Sequence, residues 1–145
     1  MSDKYDAIKI DNQLCFPLYA CAKEIVRRYK PFLDEIDLTY TQYIAMMVLW
    51  EEKEINVKAL GKRLYLDSGT LTPLLKRLEQ KNLISRQRDS KDERNLIVRL
   101  TAEGERLKEK AVEIPHKMAG CVKLDEKDAA VLYRILHNML QSFES

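Results

Sequence analysis

Three cysteines carry the most reactive side chains of this chain, and their spacing limits what each can do. Cys15 and Cys21 lie close together in Gln13-Leu14-Cys15-Phe16-Pro17-Leu18-Tyr19-Ala20-Cys21, and Cys121 stands far along the chain. Clustered thiols in a reducing compartment usually hold metal, yet there is no Cys-x-x-Cys, and His116 and His137 lack ligand spacing, so neither a metal nor a cofactor is expected. A disulfide between Cys15 and Cys21 fails on helix geometry, because six residues separate them by about 9 Å of rise and about 120° of rotation. Packing or reactivity remains. Cys21 shares the angular position of Leu14 and reads as a packed thiol. Cys15 falls in the first turn of a helix, where unpaired N–H groups and the helix dipole favour a thiolate and, with it, attack on peroxide. Pro17 supports this placement if it lies in that first turn, where proline loses no helical hydrogen bond.

The elements that must position these thiols are mostly helical. Leu14, Leu18, Cys21, Ile25, Val26 and Tyr29 recur at three- and four-residue spacing and predict a helix up to Pro31, with Asp11 and Asn12 as caps. Further helices are predicted over 39–52, 55–65 and 67–81, the last with Leu71, Leu74, Leu75 and Leu78 on one face. The pattern then changes to period two: 83–88 and 95–100 read as two strands joined by the polar loop Asp89-Ser90-Lys91-Asp92-Glu93. A helix over 102–117, broken near Pro115, precedes a last one over 125–143, whose face of Leu132, Ile135, Leu136, Met139, Leu140 and Phe143 is too wide to stay alone in water. The fold class is mainly α with a small β-hairpin, α+β overall. Its element order is that of a winged helix-turn-helix with extra helices at both ends, although order alone fits an unrelated α+β domain equally well. The expected organisation is one domain, 1–145, with dimerisation helices in 1–36 and 102–145 and a DNA-binding region in 37–101.

Charge distribution favours the winged helix. Net charge is only +2, but residues 56–101 carry 11 Lys and Arg against 5 Asp and Glu, which leaves the flanks acidic. That is the pattern of a localised polyanion-binding surface. In the helix over 67–81 the leucines take one face and leave Ser68, Thr70, Thr72, Lys76 and Arg77 toward solvent, a set suited to a major groove. On the hairpin, Arg86 and Arg88 lie on the first strand, Lys91 and Arg94 at the tip. Asp92 is two residues before Arg94, where its carboxylate can hold that guanidinium extended toward a minor groove. No stretch approaches the roughly 18 apolar residues a bilayer crossing requires, and no signal-like start is present, so the expected location is the cytoplasm, with no membrane partner.

At this point the residues become recognisable. "LISRQRDSKDERNLIVRLT" at 83–101 resembles the wing of the MarR family of bacterial transcription regulators. "LYLDSGTLTPLLKRLEQ" at 64–80 and "NQLCF" at 12–16 are similar to its OhrR branch of organic hydroperoxide regulators and their relatives MgrA and SarZ. The resemblance implies a homodimer gripping double-stranded, pseudo-palindromic operator DNA. It also implies that Cys15 is the redox-active thiol, that organic hydroperoxide is the signal, and that oxidation releases the DNA.

By the same resemblance Tyr29 and Tyr40 hydrogen-bond the thiolate across the dimer, with Tyr19 as a third nearby phenol, and Cys121 is a candidate resolving thiol from the other subunit. Read by position alone, Tyr19 and Tyr29 are amphipathic packing. Tyr29 lies about 21 Å along the helix axis from Cys15, so any contact between them requires an antiparallel second copy. Pro17 departs from the branch pattern. Two other readings stand beside the redox regulator: a regulator released by a small phenolic or aromatic ligand in the dimer crevice, and, from another class, a thiol peroxidase. An enzyme has no use for the basic helix and hairpin.

Overall fold

In the computed structural model, which describes residues 3–144, five of the seven α-helices begin on a side-chain cap. The first, α1 (Cys15–Asp34), does not. At α2 (Tyr40–Glu52) a reciprocal pair closes the start: Thr39 Oγ1 accepts the Gln42 N–H, and Gln42 Oε1 accepts the Thr39 N–H at 3.0 Å. Asn56 caps α3 (Val57–Leu64), and Asp67 caps α4 (Ser68–Gln80) by accepting the Thr70 N–H at 2.8 Å. Thr101 caps α5 (Ala102–Ala111), which is followed by the short α6 (Ile114–Ala119) and by α7 (Glu126–Phe143), capped by Asp125. The chain leaves α1 to α4 through residues with left-handed backbone, Asp37, Lys53, Tyr65 and Asn82, positions that glycine more commonly fills.

Three strands, β1 (Glu54–Asn56), β2 (Ile84–Arg88) and β3 (Leu96–Leu100), form an antiparallel sheet in the order β1-β3-β2, with Ile55 opposite Val98 and Arg86 also opposite Val98. Every element of this middle unit except β1 supplies core residues, and Ile55 of β1 packs against them half-buried. Met46 and Leu49 of α2, Leu60 of α3, Leu71, Leu75 and Leu78 of α4, Ile84 and Val98 are all essentially inaccessible. The apolar face expected of α4 is therefore the face that packs.

The root of α5 is fastened to this unit. Thr101 N–H donates to the Leu83 carbonyl, Thr101 Oγ1 to the Asn82 carbonyl, and Trp50 Nε1 to the Gly104 carbonyl at 2.8 Å. Gly104 lies so close to Leu83 that a Cβ would overlap its carbonyl oxygen. Only glycine fits there.

The termini behave differently. Within the chain α1 buries only Leu33, near its C-terminal end, and α7 buries nothing. Leu14 at the N-cap of α1, Leu18, Ile25 and Val26 on that helix, and Val131, Leu132, Ile135, Met139 and Phe143 of α7, stand exposed and leave each helix with an uncovered apolar face. Among the described residues no helix is long and apolar enough to cross a membrane.

Several expectations change. The first helix runs through Pro31 to Asp34, giving up only the bond that Pro31 would have donated to Arg27. Asp11 and Asn12 are not its caps: they belong to the second of two 3-10 helices (Lys4–Ile8 and Ile10–Asn12), and Asn12 Nδ2 donates to the Asp6 carbonyl instead. Ile55 and Asn56, expected inside a helix over 55–65, instead form β1 with Glu54, paired to β3, and the helix starts only at Val57. Cys21 is exposed rather than packed, since this part of α1 has no neighbour within the chain.

Candidate functional site

Two surfaces carry the predicted chemistry. On the first, α4 presents Ser68, Thr70, Thr72, Lys76 and Arg77, all exposed, opposite its buried leucines. The helix starts directly after the turn from α3 at residues 65–67, so the Ser68 and Thr70 hydroxyls lie at that turn, exposed. Beside it the β2–β3 hairpin extends into solvent. Its tip is tied by Asp89 N–H to the Asn95 carbonyl, Asn95 N–H to the Asp92 carbonyl, and Lys91 N–H to Asp89 Oδ1.

Asp92 holds Arg94 in the expected manner. The guanidinium donates from Nε to Oδ1 at 3.1 Å and from Nη2 to Oδ2 at 3.3 Å, while the Arg94 side chain remains 90% exposed. The same two-point contact keeps the Asp92 carboxyl below the usual carboxylate range. Arg88 donates to the Glu93 carbonyl and stays exposed, as does Lys91.

Arg86 sits differently from the other cations. Its side chain is only 18% exposed; Nη2 donates to Glu79 Oε1 and its backbone N–H to Glu79 Oε2, each at 3.1 Å. Glu79 was not among the residues singled out in the sequence. A carboxylate on the last turn of α4, seven residues before an arginine, was the available sign.

The second surface belongs to the thiols and phenols. Cys15 is the first residue of α1 and is exposed. Pro17, third in the helix, contributes no N–H, which leaves those of Cys15 and Phe16 at a helix start with no side-chain cap. Tyr19, one turn on, is exposed.

Tyr29 and Tyr40 are brought together at the other end of α1, ring centroids 4.9 Å apart and edge to face. Tyr43, which the sequence reading passed over, completes a triad with centroids 5.9 Å from Tyr29 and 6.4 Å from Tyr40, and continues to Trp50 at 6.5 Å. Burial pushes the phenols of Tyr29, Tyr40 and Tyr43 up, and the neighbouring Tyr29 adds to the last two, so all three remain neutral donors at physiological pH. Within one chain Cys15 stands at the start of α1, while these phenols gather beside its C-terminal half, Tyr29 on α1 itself and Tyr40 and Tyr43 on α2. Cys121 lies in the exposed turn between α6 and α7, where its Sγ approaches the Lys117 carbonyl at 3.6 Å.

A helix-turn-helix backed by a three-stranded sheet, with an exposed polar helix and a cation-tipped hairpin side by side, defines a winged-helix DNA-binding regulator. The chain belongs to the SarA/Rot family of transcriptional regulators, whose model matches residues 27–111. It is 48% identical over 142 residues to the organic hydroperoxide resistance transcriptional regulator of Bacillus subtilis (strain 168), an alignment covering 98% of this chain and 97% of that one. Among solved structures, reduced AbfR bound to DNA matches with a TM-score of 0.79 at 34% identity over 97% of both chains; AbfR is a protein of Staphylococcus epidermidis. Disulfide-formed AbfR matches with a TM-score of 0.68 at 32% identity, over 98% of this chain and 97% of that one.

Proposed function

We propose that this chain is a homodimeric, redox-sensing repressor of the cytoplasm that binds double-stranded operator DNA and releases it when Cys15 is oxidised by an organic hydroperoxide. One observation carries the reading: an exposed thiol stands at the uncapped start of α1, and a pair of desolvated, neutral phenols, Tyr29 on α1 and Tyr40 on α2, lies beside the far half of that helix, whose face has no cover within the chain. An antiparallel second copy covers that face and brings Tyr29 and Tyr40 of the partner subunit to each Cys15, where phenol O–H groups donate to the thiolate. Residues 1–36 and 102–145 build the dimer, and 37–101 bind DNA. Ser68, Thr70, Thr72, Lys76 and Arg77 face the major groove, and Arg94 enters the minor groove, positioned by Asp92.

The chemistry follows from the thiolate. Its sulfur attacks the outer peroxide oxygen, the O–O bond breaks, the alkoxide leaves and takes up a proton as the alcohol, and Cys15 becomes a sulfenic acid. Cys121 of the partner subunit then attacks that sulfur, a disulfide forms and water leaves. Similarity to a hydroperoxide regulator and to a relative solved both reduced on DNA and as a disulfide supports this sequence. The protomer matches both DNA-bound forms of AbfR, the reduced and the overoxidised, more closely than the disulfide form, which supports reading it as the DNA-competent state. Because both half-sites must be engaged together, a modest change in the spacing of the two winged units removes most of the affinity.

Fluorescence anisotropy on operator DNA, with and without cumene hydroperoxide, tests this with wild type and Cys15→Ser. Release of wild type but not of the variant is expected. Equal release of both contradicts it.

A further inference from the structure

The hairpin is useful to a DNA reader only if its tip and the recognition helix reach their grooves together. That angle is set where β2 leaves α4. Between them lie only Lys81, Asn82 and Leu83, with Asn82 in left-handed backbone at φ 61°. Among the described residues, Glu79–Arg86 is the one ion pair joining α4 to the hairpin. One carboxylate takes both the backbone N–H and the guanidinium of Arg86, so it fixes the strand and the side chain at once. The guanidinium is otherwise poorly served, since Arg86 Nε is buried and has no partner.

We propose that Glu79 is a positioning residue for DNA recognition: through Arg86 it sets the wing angle, and Arg86, expected from sequence to touch DNA, is instead the held end of that lever. The proposal deepens the assigned DNA interface and rests on the reading that Arg94 enters the minor groove. Removing the carboxylate leaves a half-buried guanidinium with too few acceptors, and it turns out to solvent, taking the root of β2 with it. At about 3.3 Å per strand residue the tip lies roughly 12 Å beyond Arg86, so a swing of about 10° moves it about 2 Å. The minor groove is only about 6 Å wide, so that displacement loses the Arg94 contact while α4 keeps its place.

Glu79→Gln and Glu79→Ala, with Arg94→Ala as reference, are measured in the full-length reduced protein on operator DNA. Affinity is read by anisotropy, minor-groove contact by hydroxyl-radical footprinting, and major-groove contact by protection of guanine N7 from methylation. Positioning predicts about tenfold weaker binding for Glu79→Ala, a smaller loss for the near-isosteric Glu79→Gln, loss of minor-groove protection in the alanine variant, and retained N7 protection. If Arg86 were a DNA contact restrained by Glu79, both variants would bind more tightly, because a negative charge is removed and a cation freed. Unchanged or tighter binding, or equal loss of both protections in variants that melt cooperatively, overturns the proposal. Should Arg94→Ala retain minor-groove protection, the wing reading fails and takes the positioning role with it. If Arg94→Ala loses that protection and Glu79→Ala does not, only the positioning role fails.

Discussion

Gly104→Ala sets two effects against each other. Helix propensity alone favours alanine at this third position of α5 by about 1 kcal/mol. Packing opposes it, because a Cβ there overlaps the Leu83 carbonyl oxygen and stands 2.9 Å from Leu100 Cδ1. A carbon–oxygen contact relaxes to about 3.3 Å, so the first turn of α5 must retreat by roughly 1 Å. That retreat stretches the Trp50 Nε1 bond to the Gly104 carbonyl, now 2.8 Å, and the Thr101 N–H bond to the Leu83 carbonyl, now 3.1 Å.

Two weakened hydrogen bonds at about 1 kcal/mol each, with about 2 kcal/mol of overpacking, outweigh the propensity gain and leave a net loss of about 3 kcal/mol. At about 3 °C per kcal/mol for a chain of this size, the melting temperature falls by about 9 °C. Thermal melts followed by circular dichroism and urea titration measure it. A neutral or stabilised Gly104→Ala would mean that α5 is not clamped to the DNA-binding unit and that the packing argument is wrong.

Other outcomes follow from the same contacts. Cys121→Ser abolishes the peroxide-induced disulfide-linked dimer on a non-reducing gel; a band that survives assigns the resolving thiol elsewhere. Tyr40→Phe keeps the ring contacts with Tyr29 and Tyr43, so stability changes by less than about 1.5 kcal/mol, while the rate of Cys15 oxidation, read by quenched mass spectrometry, falls several-fold. Hydrogen bonds and ion pairs lower the carboxyl groups of Asp67, Glu79, Asp92 and Glu105. Groups lowered on folding stabilise above their unfolded values of 3.8 for Asp and 4.5 for Glu and lose that contribution as pH falls through the folded ones. Urea midpoints are therefore flat from pH 7 to 5.5 and decline below about pH 4.5; a decline already complete at pH 6 would contradict those assignments.

Where a single element determines its own environment, the sequence was legible. The leucine stripe of α4, the charged-tip hairpin and the Asp92–Arg94 pair could be read because each depends on residues close in the chain. The uncovered apolar face of α7 was legible too, as a stripe too wide for a helix alone. Contacts made at a distance were not. β1 is three residues long and is a strand only because β3 lies beside it. Helix ends were hard to place because left-handed backbone falls on Asp37, Lys53, Tyr65 and Asn82, none of which announces it as glycine would. Arg86 looked like one more surface cation until the turn at Asn82 set it against Glu79. Tyr43 and Trp50 were not singled out in the sequence, yet they continue the Tyr29–Tyr40 cluster toward the root of α5. The separation of Cys15 from Tyr29 was foreseen, because helix rise alone forbids their contact within one chain.

The central claim is that the redox state of Cys15 sets DNA occupancy. Operator occupancy and the fraction of oxidised Cys15 should be measured in the same samples across a hydroperoxide titration, by anisotropy and intact-mass spectrometry. Bound fraction and reduced Cys15 are expected to fall together, and Cys15→Ser to hold its operator throughout. Full occupancy with Cys15 wholly oxidised, or release while Cys15 is still reduced, would contradict that claim.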